Sequence, residues 1–313
     1  MKRYRPSGRL PFGGLLGLIL ATIIGSLVIG GLVFAVSHLI YLIVLFPLVM
    51  GAVGGGLLAL VVRSSKIRSP IIAGLFGLLL GIGILGVYRF AEYYIDFRNE
   101  VTTAVREEGG EDVSQEEIDQ FIDDVLQEEV GASGFLGYLR YSATLGTTIT
   151  RSSSEIALDE NATWIYWGIE LLIVALFCAG LAFAAARKPF NEEADEWYPD
   201  PQYVGSVDWK ARKEFYKLLN EGDTREAYKM VNVSPGVPPR VDVVVQQTPS
   251  APQTDVILTV RETRMNRKQE ASGDKLKGVL SAQEFADLSR ALNTVQGTAA
   301  SASQSPRVAE NLE

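Results

Sequence analysis

Residues 163–174, TWIYWGIELLIV, set one carboxylate, Glu170, among aromatic and aliphatic side chains, and the apolar run continues to Ala186. A helix of about 20 apolar residues spans the ~30 Å hydrocarbon core of a bilayer, so the stretch reads as a membrane-crossing helix. Three more runs match it, over residues 13–36, 39–62 and 70–94. Hydrophobic residues make up 47% of the 313, and they are bunched in these runs rather than spread as a soluble core requires. The expected fold is an all-α transmembrane bundle of four helices, with an acidic helical extracytoplasmic segment and a small cytoplasmic α+β domain.

Charge orients this arrangement. Residues 1–89 hold eight Lys or Arg and no acid, and residues 90–162 hold four Arg against seventeen Asp or Glu. Basic residues beside spans tend to stay in the cytoplasm. Lys2, Arg3, Arg5 and Arg9 precede the first span, Arg63, Lys66 and Arg68 join the second to the third, and Arg187 and Lys188 follow the fourth. Four successive crossings put all three clusters on one side. Both termini are then expected on the cytoplasmic face of the cell membrane, with the acidic segment outside. Arg89 alone dissents, and Glu92 one helical turn later can pair with it. The first run has the basic start of a signal peptide and a cleavage-like Ala35-Val36-Ser37. It is longer than a signal core, so an uncleaved signal-anchor is expected.

These signals divide the chain into a basic N-terminus (1–12), spans one to three (13–94), the acidic segment (95–162) and span four (163–186). A linker (187–207), an α+β domain (208–293) and a disordered tail (294–313) complete it. GxxxG pairs at Gly13/Gly17, Gly51/Gly55 and Gly77/Gly81 predict close helix packing, either inside one chain or in a homo-oligomer. Pro47 is expected to kink the second span. Gly81–Gly86 matches the dinucleotide fingerprint GxGxxG, but inside an apolar span it lacks the strand and turn that aim amides at a pyrophosphate.

In the acidic segment, Ser114 and Glu117 form a capping box, Val113 and Ile118 a hydrophobic staple, and Gly131 a stop. Ile118, Phe121, Ile122, Val125 and Leu126 mark one apolar face, opposite Glu116, Asp119, Asp123 and Asp124. That acidic face lacks the alternating ligands and glycine turn of a calcium loop. Residues 134–150 have helical spacing, suited to the outer leaflet or to the top of the bundle. Past the linker, 208–220 and 224–231 read as a helical hairpin broken at Gly222, 241–246 and 255–264 as strands, and the residues after Ser281 as an amphipathic helix through Leu292.

One cysteine, Cys178, and one histidine, His38, leave no disulfide framework and no His/Cys metal set. No cofactor and no nucleic-acid partner is expected. Glu170 is therefore the chemical question. At ~1.5 Å per residue from Thr163, it lies about 10 Å into the span. An ionised carboxylate there must face protein or water. Its candidate partners at that level are His38 and Arg89, and these three residues form the predicted intramembrane polar cluster.

YWGIELLIV (166–174), KPF (188–190) and EWY (196–198) together resemble a family of bacterial multi-pass membrane proteins with no established activity. The family pattern is P-F-C-x-x-C-x-x-W-Y after the last span. Here its cysteine positions hold Asn191 and Ala194, so no metal or thiol role carries over. The expected function is non-enzymatic: a scaffold in the lipid bilayer that binds a protein partner and links the two sides. The alternative is a small transporter or channel subunit with Glu170 as its proton or cation site.

Overall fold

The computed structural model describes residues 2–39, 45–109, 113–151, 154–234, 236–266 and 269–290. In chain order, β1 (Lys2–Arg3), α1 (Phe12–Ser37), α2 (Leu45–Ser64) and α3 (Pro70–Ala91) come first. A π-helical segment (Glu92–Phe97) then continues α3 into α4 (Arg98–Gly109). Next are α5 (Gln115–Val130), α6 (Gly134–Leu145), β2 (Thr148–Arg151), β3 (Ser154–Ala157) and α7 (Glu160–Ala186). The rest holds β4 (Phe190–Asn191), β5 (Glu196–Trp197), β6 (Gln202–Asp208), α8 (Arg212–Glu221) and α9 (Thr224–Lys229). It closes with β7 (Arg240–Gln246), β8 (Val256–Asn266), β9 (Gln269–Leu280) and a helix over 282–290, here α10. Two compact units result: residues 7–187, and residues 1–6 together with 188 onward.

In the first unit, α1, α2, α3 and α7 are long and apolar enough to cross a membrane. Their outer faces are hydrocarbon: Leu20, Ile23, Leu27 and Leu32 of α1 are each more than half exposed. Small residues do the inward packing. An added Cβ on Gly77 would sit 2.5 Å from the Ala179 Cα, and one on Gly81 2.5 Å from the Ala175 Cα. Gly51 and Gly55 of α2 meet α7 in the same way at Phe177, Leu181 and Cys178. These glycines are thus occupied within one chain, α7 being seated between α2 and α3. Gly81 belongs to a continuous helix, which removes the fingerprint reading. Pro47 is buried in α2, and the kink expected there involves the turn before it, of which residues 43 and 44 lie outside the described residues.

The third helix outruns its span. Pro70–Glu107 is 38 residues, roughly 57 Å at the helical rise, against ~30 Å of hydrocarbon. Its C-terminal part is packed by aromatic rings. Phe90, Tyr93 and Phe97 meet Phe135, Tyr138 and Tyr141 of α6 at centroid distances of 5.2–6.0 Å. α6 packs on the extension of α3, and its helix stops at Leu145. Gly146 then leads into the β2–β3 hairpin, which the helical spacing had hidden. On α5, the Ser114–Glu117 capping box and the left-handed Gly131 (φ 67°) are both present. Ile118, Ile122 and Leu126 are buried, whereas Phe121 is 48% exposed. It lies at the edge of the apolar stripe rather than on it.

The second unit is a five-stranded antiparallel sheet in the order β1-β9-β8-β7-β6. Val241, Val243 and Val245 alternate on β7 with Val256, Leu258 and Val260 on β8, and this face buries Phe215, Leu219, Tyr228 and Leu288 of α8–α10. Gly222 (φ 87°) ends α8, Asp223 caps α9, and Ser281 with Glu284 caps α10. Three expectations are corrected. Residues 187–207 are not a linker, because they contain β4, β5 and most of β6. Residues 1–12 are not only a basic tail, because Lys2 and Arg3 pair with Val279 and Gly278. The domain holds more than two strands, since β6 and β9 extend the pair foreseen. Leu292 and the tail 294–313 lie outside the described residues.

Candidate functional site

The buried polar groups of the bundle gather where α3 and α7 leave the apolar run. Asp159 caps α7 by accepting from the Ala162 N–H at 2.8 Å, which fixes the helical phase of the residues after it. Tyr166 and Glu170, four residues apart, then share a face, and the Tyr166 hydroxyl donates to Glu170 Oε1 at 2.6 Å. On α3, Arg89 donates to Glu170 Oε2 at 3.4 Å and to Glu92 Oε2 at 2.8 Å. Its guanidinium also stacks 4.5 Å from the Trp167 ring and 5.2 Å from that of Tyr88. Glu170 is 3% exposed.

Arg89 is therefore the partner of Glu170, and it bonds Glu92 as its one-turn spacing suggested. His38 is not part of this cluster. Its Nε2 lies 3.3 Å from Asp96 Oδ1, with Asp96 on the π-helical segment. No sequence signal points to Asp96, because none marks a π turn; there the Arg98 N–H bonds back to the Tyr93 carbonyl, five residues earlier. Nearby, Arg98 pairs with Asp119 of α5.

Chemically, two carboxylates share one guanidinium. This suits a lock between helices. A cavity of about 220 Å³ between α1 and α2 is lined by Ile29, Val33, Phe46, Met50 and other apolar side chains, which offer no polar path. Among the described residues, no group of three or more His, Cys, Asp or Glu is placed to hold a metal ion.

In the sheet unit, the P-F…W-Y residues form the β4–β5 hairpin, with the rings of Phe190 and Trp197 5.0 Å apart and nearly perpendicular. Asn191, at the first cysteine position of the resembled pattern, closes the turn. Its Nδ2 donates to Thr248 and Thr254 at 2.9 and 2.7 Å, and its Oδ1 accepts from the Glu193 and Ala194 N–H groups at 3.1 Å each. The Tyr198 hydroxyl donates to the Asp255 carbonyl at 2.6 Å, fixing the hairpin to the loop before β8. A cleft of about 410 Å³ beside it mixes Lys2, Arg3 and Arg5 with Glu192, Glu193 and Asp255. Comparison of the chain with protein-family models, with curated proteins and with solved structures finds no match.

Proposed function

We propose that this chain is a four-span protein of the bacterial cytoplasmic membrane that works by binding a protein partner, not by catalysis. Its acidic helices α4–α6 stand outside, and its sheet domain stands in the cytoplasm. The pairing of Lys2 and Arg3 with β9 supports the topological part of this reading. Because the N-terminal strand and the C-terminal sheet are one unit, both belong on one side, as an even number of crossings requires. The basic residues beside the spans favour the cytoplasm for that side. The shared-guanidinium geometry at Glu170 supports a structural lock between α3 and α7.

The alternative, a transporter or channel subunit, is favoured by one feature, the buried Glu170 carboxylate. Two experiments decide. In a Cys178→Ala background, Asp124→Cys should react with an impermeant maleimide in intact cells, and Lys213→Cys only after permeabilisation; the reverse pattern overturns the orientation. The purified chain in liposomes should pass neither protons nor monovalent cations. Flux abolished by Glu170→Gln would replace the scaffold reading with the transport one.

A further inference from the structure

His38, the chain's single histidine, comes directly after the last turn of α1. Its Nδ1 lies 2.8 Å from the Phe34 carbonyl oxygen, one turn back. Its Nε2 faces the Asp96 carboxylate, 3.3 Å from Oδ1 and 3.2 Å from Oδ2. The ring stands edge-on to Phe34, with centroids 4.8 Å apart and planes at 83°. Both ring nitrogens thus point at acceptors that have no hydrogen to give.

A neutral imidazole carries one N–H and one lone pair. With its hydrogen on Nδ1, it donates to Phe34 and turns the Nε2 lone pair on a carboxylate. With its hydrogen on Nε2, it donates to Asp96 and turns the Nδ1 lone pair on a carbonyl oxygen. Only the imidazolium makes both bonds. We propose that His38 is a proton-binding clasp, which ties the end of α1 to the π-helical segment when protonated and gives up one of its two contacts when neutral.

The surroundings favour this role. First the Phe34 carbonyl, then the Asp96 carboxylate, hold the imidazole above its ordinary value of 6.5, and Glu92 on the same segment acts in the same direction at longer range. The Ser37 hydroxyl, the other polar side chain at this end of α1, donates to the same Phe34 oxygen at 2.8 Å. Arg89, the cation of the neighbouring cluster, is engaged by Glu92 and Glu170. The His38 and Asp96 side chains are 50% and 44% exposed, so solvent protons reach them directly. The clasp is fully formed below the unfolded imidazole value, and it is lost as pH rises through the higher folded one. Only the side from which the proton arrives depends on the proposed orientation, so failure of the clasp and failure of that orientation are separate results.

A single histidine gives a single titration. In the full chain, ¹⁵N-labelled at histidine in nanodiscs, the ring shifts should report a midpoint above 6.5, and Asp96→Asn should move it down. Amide exchange over the π-helical segment, corrected for its intrinsic pH dependence, should be severalfold slower on the acid side of the midpoint. His38→Gln should abolish that dependence. A midpoint at 6.5 indifferent to Asp96→Asn overturns the clasp, and so does pH-dependent exchange that survives in His38→Gln. Should Asp96→Asn fail to fold, the comparison of wild type with His38→Gln decides alone.

Discussion

An ionised carboxylate at the centre of a lone lipid-facing helix costs about 2.5–3.5 kcal/mol on insertion scales, and α7 avoids that cost by giving Glu170 a guanidinium and a phenol within the bundle. Glu170→Gln keeps a partner for Tyr166 but removes the charge attraction, so we expect a loss of about 1–2 kcal/mol in bundle stability. Arg89→Met removes the guanidinium from both Glu92 and Glu170, and the expected loss is about 3–5 kcal/mol. Thermal unfolding of the detergent-solubilised chain measures both. Equal melting of Arg89→Met and wild type would show that the pair holds nothing. In the other unit, Asn191→Ala strips four hydrogen bonds from the β4–β5 turn and uncovers the Thr248 and Thr254 hydroxyls. A cost of about 1–3 kcal/mol is expected, read as a lower midpoint in denaturant.

Among elements, α3 shows how one helix can have two environments on adjacent faces. Gly81 touches Ala175 on α7, whereas an added Cβ on Gly86 meets nothing within 4 Å. Gly81→Val should therefore force α3 and α7 apart at about 1–3 kcal/mol, while Gly86→Val leaves melting near wild type. If both variants melt alike, the α3–α7 seam is placed wrongly. The start of α5 carries a pH dependence of its own. The Ser114 backbone N–H, then its hydroxyl, holds the Glu117 carboxyl below its ordinary value of 4.5. The cap is therefore present above 4.5 and is lost as pH falls through the lower folded value, fraying the first turn of α5. Faster exchange of the Glu117 amide at acid pH, absent in Glu117→Gln, is the expected readout.

For the whole molecule, the strand at residues 2–3 matters more than its length suggests. It covers the Gly278–Val279 end of β9, and the Tyr4 N–H donates to the Lys277 carbonyl at 3.1 Å, so the last residues of this sheet edge are covered by the opposite end of the chain. An uncovered strand edge is a template for pairing with another molecule. Removing residues 2–5 should lower the stability of the sheet unit and raise self-association, measurable by light scattering of the solubilised chain. A truncated chain as stable and monodisperse as the full one would show β1 to be incidental.

The residues themselves determined whatever depends on neighbours in the chain. Runs of hydrocarbon side chains marked the four helices, Ser114–Glu117 and Gly131 marked the limits of α5, and alternating valines marked β7. In each case the physical cause acts within a few residues. Sequence spacing also placed Arg89 beside Glu92, one turn away. Only the tertiary structure decided which cation faces Glu170, because that depends on the rotation of α3 against α7 as their glycines and alanines interlock. The same holds for β6 and β9. With Gly205 in one and Gly273, Asp274, Lys275 and Lys277 in the other, neither carries a strong strand pattern, and each is extended because β7 or β8 offers it a ladder of hydrogen bonds. Asp96 reaches His38 from a π turn, a backbone register set by packing and written in no local motif.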